Sequence, residues 1–319
     1  MGRHGQLSRF TASVTFVTHK LIPQPPGSDQ LTLSCINWAL CLLGQIPKRK
    51  FCIVGGDIFH HELSAFLVPA FEELGLPYSL FEAGQTLGAA IARPDFGGAY
   101  FAAPEFTSFE DVQKISPAAR KIGRVDTISV TDTSHRRLLY GDNTTWVAIK
   151  ACIEKNFTGD FENSTALIIG ADYRARAACY AVQCLGFADV IIDSGYEEKS
   201  QAIVSDFQGH PVSFRIGTLA DIQVSEVGNL KRRLVVIRCV DYPLLKQDIR
   251  NIASQWSAST FIEMECASHT EDFTQDALLR DYWEVFTADD VFKEQAYVLF
   301  ETWSGRRAPK SINNMHSAI

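Results

Sequence analysis

Tyr140-Gly141-Asp142-Asn143-Thr144-Thr145-Trp146 decides how the rest of the chain is read. A strand-like run ends at Tyr140, Gly141 permits a turn, and a short polar step leads into Trp146-Val147-Ala148-Ile149, where a long helical pattern begins. The stretch therefore bridges two segments. On its N-terminal side, Phe51-Cys52-Ile53-Val54-Gly55-Gly56 reads as a buried strand, followed by a helix from about Leu63 to Leu74 and the break Gly75-Leu76-Pro77. Tyr78-Ser79-Leu80-Phe81 and Gly97-Gly98-Ala99-Tyr100-Phe101-Ala102 are further strands, the second closed by Pro104. Before them, apolar residues at 33, 36, 40 and 43 predict a helix over Leu31–Leu43. On the C-terminal side the pattern restarts as the strand Ala166-Leu167-Ile168-Ile169-Gly170, a helix over Ala175–Leu185 and the strand Val190-Ile191-Ile192-Asp193, one βαβ unit. Ile203-Val204, Val212-Ser213-Phe214, Leu234-Val235-Val236-Ile237 and Thr260 to Met264 add short apolar runs, and a helix from Val291 to Trp303 closes the chain. Alternating strands and helices predict an α/β fold, with a doubly wound part after the junction.

The 319 residues suit about two domains at roughly 100–200 residues each, and 46% hydrophobic residues allow a sizeable core. A net charge of -7 argues against a dominant nucleic-acid surface, whose affinity comes from clustered cations. The basic runs Lys48-Arg49-Lys50 and Lys231-Arg232-Arg233 read as solvated ends of elements. No apolar stretch approaches the ~20 residues of a membrane helix, and no signal-peptide core follows Met1. These features predict a soluble protein of the cytoplasm or nucleus. Eight cysteines without a Cys-x-x-Cys pair read as small buried hydrophobes, and no metal site is expected. The pair His60-His61 has no third ligand near it in sequence, which favours a structural or pocket role.

The Gly141-Asp142-Asn143-Thr144-Thr145 run resembles the Gly-x-Asn-Thr-Asp motif of shikimate dehydrogenases, which sits at their domain junction and whose aspartate is half of the catalytic pair. From about Leu31 to Pro309 the order of elements resembles that family, in particular the last domain of the fungal pentafunctional arom polypeptide. Glu294-Gln295 and Trp303-Ser304-Gly305-Arg306-Arg307-Ala308-Pro309 look like that protein's terminal signature. The resemblance implies a two-domain shikimate dehydrogenase-like fold: a substrate-type α/β domain over 31–146, completed by 288–319, and a Rossmann-like domain over 147–287. Residues 1–30 resemble the last strand and loop of a type I 3-dehydroquinase barrel, with Arg9 and Gln30 at substrate-facing positions and a Pro-rich linker from Pro23 to Gly27. An unrelated tail is the other reading of this segment; on the first, Met1 is internal to a longer polypeptide.

Carried over position by position, the family's site is largely replaced. Two serines that hold the substrate carboxylate become His61 and Leu63, a threonine becomes Ala102, and the catalytic lysine becomes Phe106. An asparagine becomes Asp126, the catalytic aspartate becomes Thr145, a tyrosine becomes Cys266, and Gln295 is kept. The pocket candidates are therefore His61, Asp126, Asn143, Thr145 and Gln295, with no catalytic residue among them. Oxidising a secondary alcohol needs a proton acceptor and a donor that steadies the developing alkoxide, and Phe106 and Thr145 are neither. The nucleotide turn Gly170-Ala171-Asp172-Tyr173-Arg174 keeps its first glycine, but Asp172 and Tyr173 stand where two more belong, the one repelling phosphate and the other filling its space. Gly170, Ala171, Arg174 and Asp193 remain as candidate nucleotide contacts, with Asp193 also readable as a turn residue and Arg174 as a structural arginine. No cofactor is expected.

Loss of several site residues together, with the framework kept, resembles a regulatory branch of this fold that restrains the transcriptional activator of quinate-utilisation genes. That resemblance implies an activator protein as partner, a quinate- or shikimate-pathway metabolite as effector, and no direct contact with nucleic acid or membrane. The competing reading is an active NADP-dependent shikimate or quinate dehydrogenase that uses substitute residues such as His61.

Overall fold

The computed structural model describes residues 48–54, 57–82, 87–102, 112–132, 137–157, 160–209, 212–218, 233–239, 256, 259–264 and 283–309. The tail and linker over 1–30, the helix expected over Leu31–Leu43, Phe106, Cys266 and the end of the chain from 310 lie outside the described residues. His61 is placed by its backbone alone.

In chain order the first elements are β1 (Arg49–Val54), α1 (Asp57–Glu73), β2 (Tyr78–Glu82), α2 (Leu87–Ile91), β3 (Phe96–Phe101), β4 (Lys114–Ile115), α3 (Pro117–Ile122), β5 (Thr127–Asp132) and β6 (Arg137–Asp142). Then come α4 (Thr145–Asn156), β7 (Thr165–Ile169), α5 (Tyr173–Leu185), β8 (Asp189–Asp193), α6 (Glu197–Phe207), β9 (Ser213–Ile216), β10 (Leu234–Arg238), β11 (Ser259–Glu263), β12 (Trp283–Phe286) and α7 (Ala288–Ser304). The strands form two six-stranded sheets. In the first, ordered β2-β1-β3-β5-β6-β4, β1 pairs in parallel with β2 and β3, whereas β5 runs antiparallel to both β3 and β6. The second, ordered β12-β11-β10-β7-β8-β9, is parallel at every pairing.

That second order is the doubly wound one, and its switch point falls between β7 and β10, at whose carboxyl ends such sheets hold ligands. β7, β10 and β11 are buried at every residue, as strands covered on both faces must be, and this is why their sequences read as continuous apolar runs. Alanines 175, 177, 178 and 181 give α5 a thin face, all of them fully buried against the sheet. In the first unit the core is aromatic: Phe51 stacks on Trp303 at 4.5 Å between ring centroids, and Phe71 stacks on Phe300 at 5.3 Å. Each such ring contributes about 1.5–3 kcal/mol by leaving water. These contacts bring α7 back from the second sheet to lie on α1 and α4. Its start is fixed by a capping box between Thr287 and Asp290.

Three expectations are corrected. Gly141 is not a turn; β6 runs through it and pairs it with Ile128. A Cβ there would lie 2.9 Å from Val125 Cγ2 and 3.0 Å from Val112 Cγ1, so the glycine is required by close packing. Ile203-Val204 belongs to α6, where both residues are buried on its inner face. Alternation of strands and helices does not hold throughout the first unit, because β5 and β6 pair directly with no helix between them. Among the described residues no helix is long and apolar enough to cross a membrane.

Candidate functional site

The site forms where α4 begins, beneath α7 and facing the Gly170 turn. Thr144, the N-cap of α4, makes no side-chain capping bond of its own. Its part is taken by Asp126, one residue ahead of β5 and 1% exposed. Asp126 Oδ1 accepts from Thr144 N at 2.6 Å, Thr144 Oγ1 at 3.0 Å and Thr127 Oγ1 at 2.9 Å. Its Oδ2 accepts from Thr145 N at 2.9 Å and Thr145 Oγ1 at 2.7 Å. The carboxylate thus meets the free N–H groups and positive end of the helix. Burial pushes Asp126 above its ordinary carboxylate value, against the hydrogen bonds from Thr145, Thr144 and Thr127 that pull it down.

Asn143 serves the backbone instead: Nδ2 donates to the Arg124 carbonyl at 3.3 Å, and Oδ1 accepts from Trp146 N at 3.3 Å. From α7, Gln295 reaches Thr144 Oγ1 at 3.0 Å and Thr145 Oγ1 at 3.2 Å through Nε2, while its Oε1 accepts from Tyr100 Oη at 3.1 Å. A cleft of about 110 Å³ opens over this network, lined by Tyr100, Thr145 and Gln295 on one side and Tyr173 and Arg174 on the other, with Phe101, Ala102, Met264, Val291 and Phe292 as apolar surface.

The opposite wall is the glycine turn. Gly170 has φ 127, a conformation that suits glycine, and its N–H donates to the Asp193 carbonyl at 2.7 Å. Asp172 caps α5, accepting from Arg174 N at 2.9 Å and Ala175 N at 3.0 Å, and its other oxygen pairs with Arg174 Nε at 2.9 Å. Arg174 Nη1 also donates to the Met264 carbonyl at 3.4 Å. Tyr173 crosses the cleft, donating from Oη to the Ala102 carbonyl at 3.3 Å, and the Arg124 guanidinium lies 3.6 Å over its ring. The helix N–H groups that a pyrophosphate would use are bonded to a carboxylate, and the space before them holds a tyrosine. This turn does not fit NADP in the manner of an open glycine loop.

Of the residues singled out in the sequence, Asp126, Thr145 and Gln295 meet in one network, and Asn143 braces it from behind. Arg174 stands across the cleft, whereas Gly170, Ala171 and Asp193 are not among the described residues that line it. Tyr100, Thr127, Thr144 and Arg124 belong to the site and were not foreseen; Tyr100 and Gln295 are 195 residues apart, beyond the reach of any local spacing rule. Among the described residues, no group of three or more His, Cys, Asp or Glu could hold a metal ion.

No protein-family model matches the chain. The pentafunctional AROM polypeptide of Malassezia globosa is 35% identical over 221 residues, 66% of this chain and 14% of that protein. That of Pneumocystis carinii is 29% identical over 328 residues, 97% of this chain and 20% of that protein. The chain therefore spans about a fifth or less of the length of these curated relatives. Among solved structures, the dehydroquinate dehydratase and shikimate dehydrogenase from S. pombe AroM matches with a TM-score of 0.74 at 26% identity, over 93% of this chain and 58% of that one. A shikimate 5-dehydrogenase from Thermus thermophilus in complex with shikimate matches in fold, with a TM-score of 0.63 at 19% identity, over 83% of this chain and 95% of that one. Two sheets, one of them doubly wound, meeting at a cleft define an α/β protein of the shikimate dehydrogenase-like class. Within that class, the chain is homologous to the shikimate dehydrogenase portion of the pentafunctional AROM polypeptides.

Proposed function

We propose that this chain is a catalytically silent, shikimate dehydrogenase-like regulatory module, similar to the C-terminal part of the fungal quinate repressor. In this reading it acts in the cytoplasm or nucleus by contact with the transcriptional activator of quinate-utilisation genes, and a metabolite entering the cleft biases that contact. The observation that carries it is the state of the glycine turn. Asp172 holds the first free N–H groups of α5, so a dinucleotide would have to displace a carboxylate and then sit against its charge. Thr145 adds to this, since a threonine hydroxyl has no pKa near neutral with which to take a proton from an alcohol.

A second reading has one observation in its favour. The Asp126 carboxylate lies 2.7 Å behind the Thr145 hydroxyl, where a proton leaving an alcohol in the cleft through Thr145 would end. An active NADP-dependent shikimate or quinate dehydrogenase would need such a path. Incubating the purified chain with shikimate or quinate and NADP or NAD separates the two: we expect no turnover above the blank, and a calorimetric NADPH dissociation constant weaker than about 1 mM. The same preparation should retain the quinate-pathway activator in a pull-down, to an extent that quinate alters. Steady turnover, or micromolar NADPH binding, would overturn the regulatory reading.

A further inference from the structure

Charge is unevenly divided between the two walls of the cleft. The floor carries the uncharged side chains of Tyr100, Thr145 and Gln295, each able to give or take a hydrogen bond, and behind them lies the buried Asp126 carboxylate. Asp126 Oδ2 is 2.7 Å from Thr145 Oγ1. Burial first and the Asp126 charge second hold the Tyr100 phenol well above its ordinary range, with Arg124 acting the other way. A negative group set beside Tyr100 meets the same opposition, whereas a neutral hydroxyl does not.

The facing wall is positive. Arg174 is the one charged residue among the described residues that line the cleft. Asp172 takes its Nε at 2.9 Å and the Met264 carbonyl takes Nη1 at 3.4 Å, so the guanidinium is held in place from its Nε side. Asp172 is not among the described lining residues, so the cleft meets the cation of this pair and not the anion. Two guanidinium groups lie over the Tyr173 ring, Arg124 at 3.6 Å and Arg174 at 5.7 Å from its centroid. The Tyr173 hydroxyl, bonded to the Ala102 carbonyl at 3.3 Å, sets the distance from this wall to the end of β3. At about 110 Å³ the space is of the order of the roughly 150 Å³ that hold a benzene ring, which suits a ligand of single-ring size and is far too small for a dinucleotide.

We infer that the cleft takes a small hydroxylated monocarboxylate in one orientation, its carboxylate on Arg174 and its hydroxyls on Tyr100, Thr145 and Gln295. Arg174 belongs to α5 on the second sheet, and the floor to β3, α4 and α7, so such a ligand holds both walls at once. That is the contact an effector needs to favour one arrangement of the two units over another. The inference deepens the proposed function by naming the effector's class and the residue that reads its charge, and it rests on the reading of the cleft as an effector site in a chain without turnover.

Titration calorimetry of the whole chain with shikimate and quinate, each set against its methyl ester, tests it, because acid and ester differ in charge at one group. The better-bound acid should bind about ten- to a hundredfold more tightly than its ester, the worth of a hydrogen bond to a charged group. Cyclohexanecarboxylate, which keeps the charge and lacks the hydroxyls, should bind more weakly than that acid. Arg174→Met should bring the acid-to-ester ratio to about one, and Arg174→Lys should keep a preference for the acid, with circular dichroism showing whether each variant is folded. On the unmodified chain, raising the ionic strength from about 0.05 to about 0.5 M should weaken the acid and leave the ester unchanged, a readout that needs no variant. An ester that binds as well as its acid, an acid preference that persists in folded Arg174→Met or ignores salt, or no saturable binding of either acid overturns the inference. Oxidation of shikimate or quinate with NADP would instead overturn the regulatory reading, leaving the acid-to-ester ratio to judge this one.

Discussion

Asp126 caps a helix from another strand. Its position follows from register: Thr127 pairs with Asp142 across β5 and β6, so the residue before one strand lies beside the residues after the other. In the sequence, Asp126 and Thr145 read as two separate departures from the shikimate dehydrogenase pattern, because nothing in their spacing reveals that antiparallel pairing joins them. Replacing Asp126 by Asn sets an NH2 group against at least one donor of Thr144 or Thr145. Urea denaturation should find the variant about 1–3 kcal/mol less stable, the cost of buried groups losing a partner. The pH dependence has a definite sign. Burial raises the folded Asp126 above its ordinary 3.8, so this carboxyl's contribution to stability is fully present below that value and is lost as pH rises through the folded pKa. Asn does not titrate, so the penalty of Asp126→Asn should shrink from acid toward neutral pH; a penalty that grows over that range would contradict the burial argument.

At the scale of elements, β6 shows what a sequence reveals and what it hides. Glycine serves either a special backbone angle or a close approach, and pattern alone does not say which. At Gly141 the approach decides, with Val125 and Val112 in the space of a side chain. Gly141→Ala should therefore destabilise the fold by about 1–3 kcal/mol through overpacking, read as a lower urea midpoint at unchanged slope. An Ala variant as stable as the parent would show that the valines yield. The buried strands β7, β10 and β11 were legible because a strand covered on both faces is apolar at every position. Ile203-Val204 was ambiguous because two adjacent apolar residues fit a strand and one turn of a helix equally well. In the sequence Asp172 reads as a charge set against phosphate, an expectation about ligand rather than fold. Its bonds to the N–H groups of Arg174 and Ala175 add a second role as helix cap.

Across the whole molecule, the two sheets are joined by side chains of α5 as well as by the chain itself. Tyr173 reaches the Ala102 carbonyl at the end of β3 and lies under Arg124. One turn on, Arg176 donates to the carbonyls of Ile122 at 2.6 Å and Lys121 at 3.3 Å, and pairs with Asp206 at 2.8 Å. Those carbonyls are the unsatisfied C-terminal end of α3, the negative end of its dipole, so a guanidinium there is favourable twice over. Because the Arg176 and Asp206 side chains are 23% and 54% exposed, water screens the ion pair, and the carbonyl bonds carry most of the effect. Arg176→Ala should cost about 1–2 kcal/mol. Its distinguishing consequence is local. If Arg176 holds the two units in one arrangement, amide exchange should accelerate along α3 and at the Ala102 end of β3, while the centre of the second sheet keeps its protection. Faster exchange spread evenly over both sheets would mean that the substitution lowers global stability alone, and Arg176 would then be an ordinary surface contact between elements that pack well without it.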